Sequence, residues 1–304
     1  MIQVRNLTKR FGYTEAVSSL DFDVMKGEIF GIVGPDGAGK STLLRMMSTI
    51  LEPETGSITI RGKNIFSDVF GVKESLAYMP QRFGLYEDLT VQENIYFFGR
   101  LYNVSLKEIK RRTVRLYEFS RLGPFRDRLA GNLSGGMKQK LGLACCLVHS
   151  PDIILLDEPT NGVDPVSRRE FWKILYDLLG EGVTIVVSTA YLDEAERCNR
   201  IGLMYQGRFI TAGTPREIKK NMNMPFVEFA TSNPVRSEML LREIDEFKSI
   251  ILTGDSLRLF VADVRKAGKR ISQILKREGI ALNSLREKTP ALEDCFVAIV
   301  SGAQ

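Results

Sequence analysis

The sequence lacks the features that mark membrane-spanning, secreted or metal-binding chains. No apolar run approaches the roughly 20 residues that a spanning helix needs, and Met1 is not followed by the charged and apolar regions of a signal peptide. The four cysteines show no CxxC pair or metal-ligand spacing. We therefore expect no membrane span or leader in this chain, and reduced thiols.

An excess of charge of one sign is also missing. The 304 residues include 42 basic and 37 acidic side chains, a net charge of +5, and a single histidine. A dense cationic surface of the kind that binds nucleic acid is not evident, so we expect no nucleic-acid partner. The mildly basic surface would suit an anionic membrane leaflet, but we favour the interpretation of an ordinary solvated exterior.

Apolar periodicity predicts an α/β fold. Residues 3–32 alternate apolar and polar side chains between glycine turns, which predicts several short strands. Helical spacing follows in residues 41–50, and residues 90–122 predict a largely helical insert. The continuous apolar runs 153–156 and 184–187 each follow a predicted helix, as in a buried parallel sheet.

A change in composition predicts a second domain. The chain turns polar near residue 221 and reaches Pro225, and new strand-like and helical runs follow. Those runs are 226–229, 250–252, 257–261 and the helix 265–278. We predict a nucleotide-binding domain over 1–220, with a helical subdomain at about 83–140, and a small α+β domain over 225–304.

The most specific motif is a glycine-rich loop that fits GxxxxGK[ST] between a strand and a helix. Glycines allow backbone N–H groups to turn around a phosphate, Lys40 reaches the terminal phosphates of ATP, and Ser41 ligates Mg²⁺. A plain turn would not require the Lys-Ser pair. The residues predicted to bind nucleotide here are Gly34, Pro35, Asp36, Gly37, Ala38, Gly39, Lys40, Ser41 and Thr42.

A second motif places two carboxylates at the end of an apolar strand. After residues 153–156, Asp157 is predicted to hold Mg²⁺ through water, and Glu158 to polarise the attacking water. Adjacent carboxylates repel each other without a cation. Alone, the pattern favours a plain exposed strand terminus, but beside the phosphate loop it indicates phosphoryl transfer with ATP and Mg²⁺.

Residues 133–137, Leu-Ser-Gly-Gly-Met, resemble the LSGGQ-type signature of ATP-binding cassette (ABC) proteins. Motif order and spacing over about the first 215 residues are similar to ATP-binding subunits of ABC exporters, and to the first cassette of tandem drug exporters. The resemblance implies a P-loop NTPase fold with a RecA-like parallel sheet, an N-terminal antiparallel β subdomain and a helical insert.

The resemblance also implies a composite site. Ser134, Gly135 and Gly136 would bind ATP held by a second nucleotide-binding domain, in a homodimer or a tandem partner, although Ser134 is also a plain helix cap. The family further implies integral membrane permease subunits, with the chain peripheral on the cytoplasmic side of the plasma membrane. ATP hydrolysis would drive transport.

Other positions match the family one by one. Phe11 resembles the aromatic residue that stacks on adenine, although such a residue is more often part of a core. Gln81 resembles the glutamine that senses Mg²⁺ and nucleotide, and completes with Lys40 and Glu158 the implied catalytic set. Asp164 resembles an aspartate that contacts the second domain, or is a turn residue.

Two further segments resemble parts of exporter ATPases. Residues 82–94, with Phe83, Leu85 and Tyr86, resemble the surface that receives a coupling helix, and buried packing is the alternative. Residues 289–296 resemble the terminal motif of ATPase subunits from drug, lipid and polysaccharide exporters. For that tail we favour a packing or dimer-regulating role.

One position departs from the family pattern. The family usually has Ser-Thr-His after this strand, where the sequence has Ser188, Thr189 and Ala190. A methyl group cannot donate to phosphate, and loss of one preorganised donor costs on the order of 10²–10³ in rate. We expect His149 to be a cation at a helix C-terminus that cannot substitute, so the site is predicted to bind ATP but to hydrolyse it slowly or not at all.

Several hypotheses remain open at this stage. Ala190 would fit one half of an asymmetric tandem pair, or an engineered substitution. The alternatives to an export ATPase are a soluble ABC protein that acts on nucleic acid or ribosomes, and a clamp that binds ATP without hydrolysing it.

Overall fold

The computed structural model describes residues 1–82, 84–222 and 224–300. The chain divides into two compact units, Met1–Ala212 and Gly213–Gln304. The functional domains predicted above, 1–220 and 225–304, stay a prediction.

The strands of the first unit alternate with helices after residue 29. The strands are β1 (Ile2–Phe11), β2 (Thr14–Val24), β3 (Ile29–Val33), β4 (Thr55–Ile60), β5 (Lys63–Asn64), β6 (Leu76–Met79), β7 (Ile153–Asp157), β8 (Thr184–Thr189), β9 (Arg200–Tyr205) and β10 (Arg208–Gly213). The helices are α1 (Lys40–Met47), α2 (Val69–Ser75), α3 (Val91–Leu101), α4 (Leu106–Ser120), α5 (Gly135–Leu147), α6 (Pro165–Gly180) and α7 (Leu192–Ala195).

A six-stranded sheet forms the centre of this unit, in the order β10-β9-β3-β8-β7-β6. The neighbours from β9 to β6 are parallel, and β3, β7 and β8 are buried along their whole length. Continuous apolar strands buried on both faces are typical of parallel sheets, which confirms the predicted α/β class. Because parallel strands end at one edge, the residues after β3, β7 and β8 emerge together.

The N-terminal segment differs from its prediction. Instead of several short strands, β1 and β2 are long antiparallel strands of 10 and 11 residues in a second sheet, ordered β2-β1-β4-β5. Asn6 and Ser19 adopt positive φ angles of 45° and 46° where the pairing shifts register. Such bulges bend a strand without ending it, so β1 and β2 are longer than predicted, whereas the predicted glycine turns at Gly12 and Gly27 do separate β1, β2 and β3.

The helical part is built from α3, α4 and α5 around a shared apolar cluster that includes Ile95, Ile109 and Leu141. Thr90 and Glu93 form a capping box at the start of α3, and the Ser105 side chain caps α4. These caps satisfy N–H groups that the first helical turn leaves unpaired. The helical prediction for residues 90–122 is thereby confirmed.

The second unit is an antiparallel sheet with helices. Its strands are β11 (Phe226–Thr231), β12 (Ile251–Thr253), β13 (Ser256–Phe260) and β14 (Leu282–Lys288), in the order β12-β13-β11-β14. Its helices are α8 (Pro215–Asn221), α9 (Pro234–Arg242), α10 (Val264–Arg277) and α11 (Leu292–Val300). Across both units, no helix in the part of the chain that the structure describes is long and apolar enough to span a membrane.

Candidate functional site

The phosphate loop connects β3 to α1 in a conformation that only glycine tolerates at two positions. A Cβ atom on Gly34 would lie 2.1 Å from the Met204 carbonyl oxygen, and one on Gly39 would lie 2.1 Å from the Ala16 carbonyl oxygen. Gly39 also has a φ of 106°. Backbone approaches of this kind explain the glycines of the motif, since any side chain would push the loop from its neighbours.

Lys40 begins α1 and points back under the loop. Its ammonium group donates to the carbonyl oxygens of Gly34 at 2.8 Å and Pro35 at 2.9 Å. It also pairs with Glu158 Oε1 at 2.9 Å, and the side chain is only 4% exposed. A buried cation therefore lies directly beneath a loop whose outer residues, Asp36 and Gly37, are exposed.

Asp157 ends β7 and is 1% exposed. One carboxylate oxygen, Oδ1, accepts hydrogen bonds from Ser41 Oγ at 3.0 Å and Ser188 Oγ at 2.7 Å. The other accepts from the Tyr78 hydroxyl at 3.4 Å. Burial, and then the charge of Asp157, raises the pKa of Tyr78 to about 12, so the hydroxyl remains a donor at neutral pH.

Glu158 follows in a left-handed backbone conformation, with a φ of 47°. A side chain in this region costs of order 1–3 kcal/mol and needs firm support. The Glu158 N–H donates to Ser188 Oγ at 2.9 Å, which helps to hold the turn. Carboxylate oxygen Oε2 accepts from Gln81 Nε2 at 2.9 Å and Asn161 Nδ2 at 3.1 Å.

A pocket of about 220 Å³ opens beside these carboxylates at the ends of β7 and β8. Ala190 is exposed there and presents only a methyl group. The pocket is lined by Asp36, Glu158, Thr160, Asn161, Thr189, Ala190 and Tyr191. A cavity of about 280 Å³ between α4 and the end of α6 contains none of the predicted site residues, so we assign the site on its chemistry.

The structure thus brings together Gly34, Lys40, Ser41, Gln81, Asp157 and Glu158. Phe11 lies at the end of β1, is 53% exposed, and has the Lys9 ammonium 5.8 Å from its ring centroid. The alternative of a core phenylalanine is therefore wrong, while its role toward adenine stays a prediction. Thr42 is half-buried on the first turn of α1.

The signature residues lie at the start of another helix. Ser134 caps α5 by accepting from the Met137 N–H at 3.4 Å, and a Cβ on Gly136 would meet Ser167 at 2.5 Å. Asp164 caps α6 in turn, accepting from the Val166 and Ser167 N–H groups. Among the described residues, no hydrogen bond joins residues 134–136 to the phosphate loop. Their contact with ATP held by a second nucleotide-binding domain stays a prediction.

The predicted coupling surface is partly exposed, and its Tyr86 is fixed by contacts with helix α3. Tyr86 is 45% exposed and packs edge-on against Phe97, with ring centroids 4.6 Å apart. The fully buried Asn94 side chain bonds both the N–H and the carbonyl oxygen of Tyr86. Leu85 packs against the helical cluster, and Phe83 lies outside the described residues.

His149 differs from its prediction. Its ring stacks on Tyr102, with centroids 3.8 Å apart, just after the end of α5. Burial lowers its pKa to about 4, so the imidazole is neutral at pH 7. The expected helix-terminal cation is wrong. The contacts described here place His149 in a packing role.

Sequence reasoning missed four polar contacts of the site. Ser188 and Tyr78 bond Asp157, while Asn161 bonds Glu158 and accepts from the Tyr191 hydroxyl at 3.4 Å. Ser188 is the direct register partner of Asp157 on the neighbouring strand. Pairing the two apolar runs as adjacent parallel strands would have identified it.

Comparisons with known proteins agree with this geometry. Residues 17–161 match the ABC transporter family model. The chain is 41% identical to the probable multidrug ABC transporter ATP-binding protein YbhF of Escherichia coli (strain K12), over 100% of this chain and 52% of that protein. It is 35% identical to the Nod factor export ATP-binding protein I of Rhizobium sp. (strain N33), over 98% of this chain and 96% of that protein.

The chain spans about half the length of the first relative and nearly all of the second. Among solved structures, it is similar to the dimeric structure of a bacterial ABC transporter cassette, with a TM-score of 0.64 and 26% identity over 70% of this chain and 98% of that chain. The P-loop NTPase fold predicted from the motifs is thereby confirmed. The chain belongs to the ABC transporter family of ATP-binding proteins, the ABC ATPases.

Proposed function

We propose that this chain is the ATP-binding and ATP-hydrolysing subunit of an export system, coupled to separate membrane subunits. The observation that carries the proposal is the buried Lys40 ammonium beneath the phosphate loop, 2.9 Å from Glu158 and next to the Asp157–Ser41 pair. Phosphoryl transfer requires a cation, carboxylates and backbone amides to lie close together around the phosphates.

Magnesium fits the oxygen donors of this site. Ser41 and Asp157 are already in hydrogen-bond contact at 3.0 Å, and the Gln81 side chain is exposed beside them. Hydroxyl, carboxylate and amide oxygens are the hard ligands that Mg²⁺ prefers, and it commonly keeps several waters. When bound, the ion would neutralise charge on the nucleotide phosphates, with Asp157 acting through water.

Hydrolysis at this site should be weak. Ala190 lines the pocket beside Glu158 without any polar group, whereas the family position usually carries a histidine. Binding should be preserved, because loop, lysine and carboxylates are intact. We infer a catalytically degenerate site that contributes chiefly by binding ATP.

The proposed partners are a second nucleotide-binding domain and integral permease subunits at the cytoplasmic face of the membrane. Ser134 to Gly136 would complete the site of the second domain, which fits the dimeric arrangement of the related cassette. That second domain is either another copy of this chain, as the near full-length match to the shorter relative would suggest, or the other half of a tandem protein, as the half-length match to the longer relative would suggest. One relative is named as a multidrug ABC transporter protein and the other as a Nod factor export protein, so action on nucleic acid or ribosomes is not favoured.

The test of the site is the substitution Ala190→His. MgATP affinity of the full chain should stay within about twofold, while turnover should rise by up to about 10²-fold because a phosphate donor is restored. Binding would be followed with a fluorescent ATP analogue, and turnover by phosphate release.

Ala262→His, at an exposed alanine of the second unit, is the matched control and should change neither quantity. Fast, cooperative hydrolysis by the unsubstituted chain would contradict the degenerate site. Failure to bind MgATP would contradict the proposed function itself.

The membrane partner is tested at Tyr86. A photo-crosslinking amino acid at this exposed position should form adducts with a co-expressed permease, more so with ATP present. The same label at Lys110, exposed on α4, is the control. Equal labelling from both positions would argue against a coupling surface at residues 82–94.

A further inference from the structure

We propose that Asn161 and Tyr191 are positioning residues that orient the Glu158 carboxylate in this histidine-free site. The inference rests on the proposed hydrolytic function and adds two residues that the motifs do not assign. Neither would touch the reacting atoms, and both would act through Glu158.

Two hydrogen bonds connect the three residues in one donor-to-acceptor direction, from Tyr191 through Asn161 to Glu158. The Tyr191 hydroxyl lies 3.4 Å from Asn161 Oδ1, and Asn161 Nδ2 donates to Glu158 Oε2 at 3.1 Å. A carboxamide has one accepting end and one donating end. With its oxygen taken by Tyr191, Asn161 must present its NH₂ group to the carboxylate. Without that hydroxyl, the amide can reverse and turn its oxygen toward Glu158, which is repulsive.

Tyr191 is itself held in place. Its N–H donates to Thr189 Oγ1 at 3.0 Å, and the Arg168 guanidinium lies 4.4 Å from its ring centroid. Thr189 in turn donates to Glu194, which is fully buried. A cation over an aromatic ring and a backbone bond fix the ring, so the hydroxyl is presented from a rigid support.

This support concerns Glu158 because its other partners have competing tasks. Lys40, on Oε1, is the cation proposed to bind the phosphates, and Gln81 is an exposed residue proposed to ligate Mg²⁺. Asn161 also donates to Glu158, and it is proposed to bind neither phosphate nor Mg²⁺. Glu158 also sits at a φ of 47°, a backbone conformation that persists only where the surrounding contacts hold it.

The test compares Tyr191→Phe, Asn161→Leu and the double variant in the full chain. Each single change should lower kcat for ATP about 3- to 10-fold, the worth of one hydrogen bond, with KM and MgATP affinity unchanged. Asn161→Leu keeps the approximate size of the side chain and adds no charge, but it can neither donate to Glu158 nor accept from Tyr191. The double variant should be no slower than the slower single variant, because both remove one chain of bonds.

Tyr176→Phe is the matched control. That hydroxyl donates to the Arg197 carbonyl oxygen at 3.2 Å on the exposed side of α6, and its loss should leave kcat unchanged. All variants would be measured with and without Ala190→His, which supplies measurable turnover if the natural chain is slow. Thermal unfolding midpoints report on folding.

The outcomes separate the two proposals. A kcat for Tyr191→Phe equal to that of Tyr176→Phe, or fully additive losses in the double variant, would overturn the positioning role alone. A fall in ATP affinity that matches the fall in turnover would do the same, because it would indicate a binding or structural role. Absence of turnover in both backgrounds, with ATP binding intact, would overturn the hydrolytic function and the positioning role together.

Discussion

Two buried glutamates, one in each unit, use ion pairs in different ways. Glu158 is 8% exposed, sits at a strained turn, and has one cation, Lys40, with two amide donors. Glu228 is 7% exposed, lies within the regular strand β11, and pairs with three cations. These are Arg258 at 2.9 Å, Arg286 at 2.7 Å and Lys288 at 2.7 Å.

The difference teaches that the partners of a buried carboxylate indicate its role. A buried charge is costly unless it is paired, and both glutamates meet that requirement. The single cation of Glu158 is also the group that we propose to bind a phosphate, so on that proposal the pair would be exchanged when nucleotide binds. The three cations of Glu228 are partly solvated, and we expect them to be redundant, as is typical of a permanent structural pair.

The largest expected effect belongs to Glu158→Gln. Removing the proposed base should lower turnover on the order of 10²–10³-fold, while MgATP affinity stays equal or becomes tighter, because a negative charge near the phosphates is lost. Phosphate release and fluorescent ATP binding would be measured with and without Ala190→His. Glu118→Gln, at an exposed glutamate on α4, is the control. Unchanged turnover in both backgrounds would remove Glu158 from the mechanism.

Lys40→Ala should act on binding. Losing the buried cation beneath the loop should weaken MgATP affinity by about 100-fold, comparable to removing one member of a buried charge pair. Isothermal titration measures this, with Lys110→Ala on the surface of α4 as the control. Undiminished affinity would mean that the Lys40–Glu158 pair is structural, and the contrast with Glu228 would disappear.

The phosphate site was predictable because its chemistry is local. Residues 34–41 are contiguous, and a strand, a loop and a helix start are enough to place Lys40 and Ser41. The contacts to Asp157 do not follow from local spacing, since Tyr78 and Ser188 reach it from strands β6 and β8 on either side of β7, and only a correct strand pairing identifies Ser188. Strand order is a property of the whole sheet, which a local pattern does not encode.

The second unit shows the same limit more strongly. Strands β11 and β13 and helix α10 follow from their apolar patterns, whereas β14 is an edge strand whose residues are mostly exposed and polar. Polar edge strands avoid unwanted pairing, but they resemble loops in a sequence. The partners of Glu228 lie 30, 58 and 60 residues away, so no spacing rule identifies them.

Glu228→Gln should destabilise the second unit without affecting the nucleotide site. We expect a loss of about 1–2 kcal/mol, less than for a fully enclosed pair, because Arg286 is 67% exposed and Lys288 38% exposed. Hydrogen exchange of β11 amides measures it, with the exposed Glu287→Gln on β14 as the control. Unchanged β11 protection would refute the stabilising role.

Fluorescence provides an internal reference for that experiment. The only tryptophan, Trp172, and all nine tyrosines precede residue 206, so intrinsic fluorescence reports on the first unit alone. It should be unaltered in Glu228→Gln. A matching loss in the fluorescence-detected transition would mean that the two units do not respond separately.

Acid should reproduce part of this effect. Lys288, then Arg286 and Arg258, lower the pKa of Glu228 to about 2 from the usual 4.5. The unfolded chain takes up the proton first, so the stabilisation is complete above pH 4.5 and is lost as pH falls toward 2. Protection of β11 amides, corrected for intrinsic exchange, should fall in that window less steeply in Glu228→Gln. Equal slopes would contradict the assignment.

The smallest effect is expected for Arg286→Gln, and it tests redundancy directly. Its guanidinium is the most exposed of the three partners, and an ion pair of an exposed cation is worth about 0–1 kcal/mol. Lys288 and Arg258 would still pair with Glu228, so β11 protection should change by less than about 0.5 kcal/mol. If the change equalled that of Glu228→Gln, Glu228 would depend on a single cation, as Glu158 does. Redundancy of the cations would then no longer distinguish a structural carboxylate from one whose partner is exchanged for a ligand.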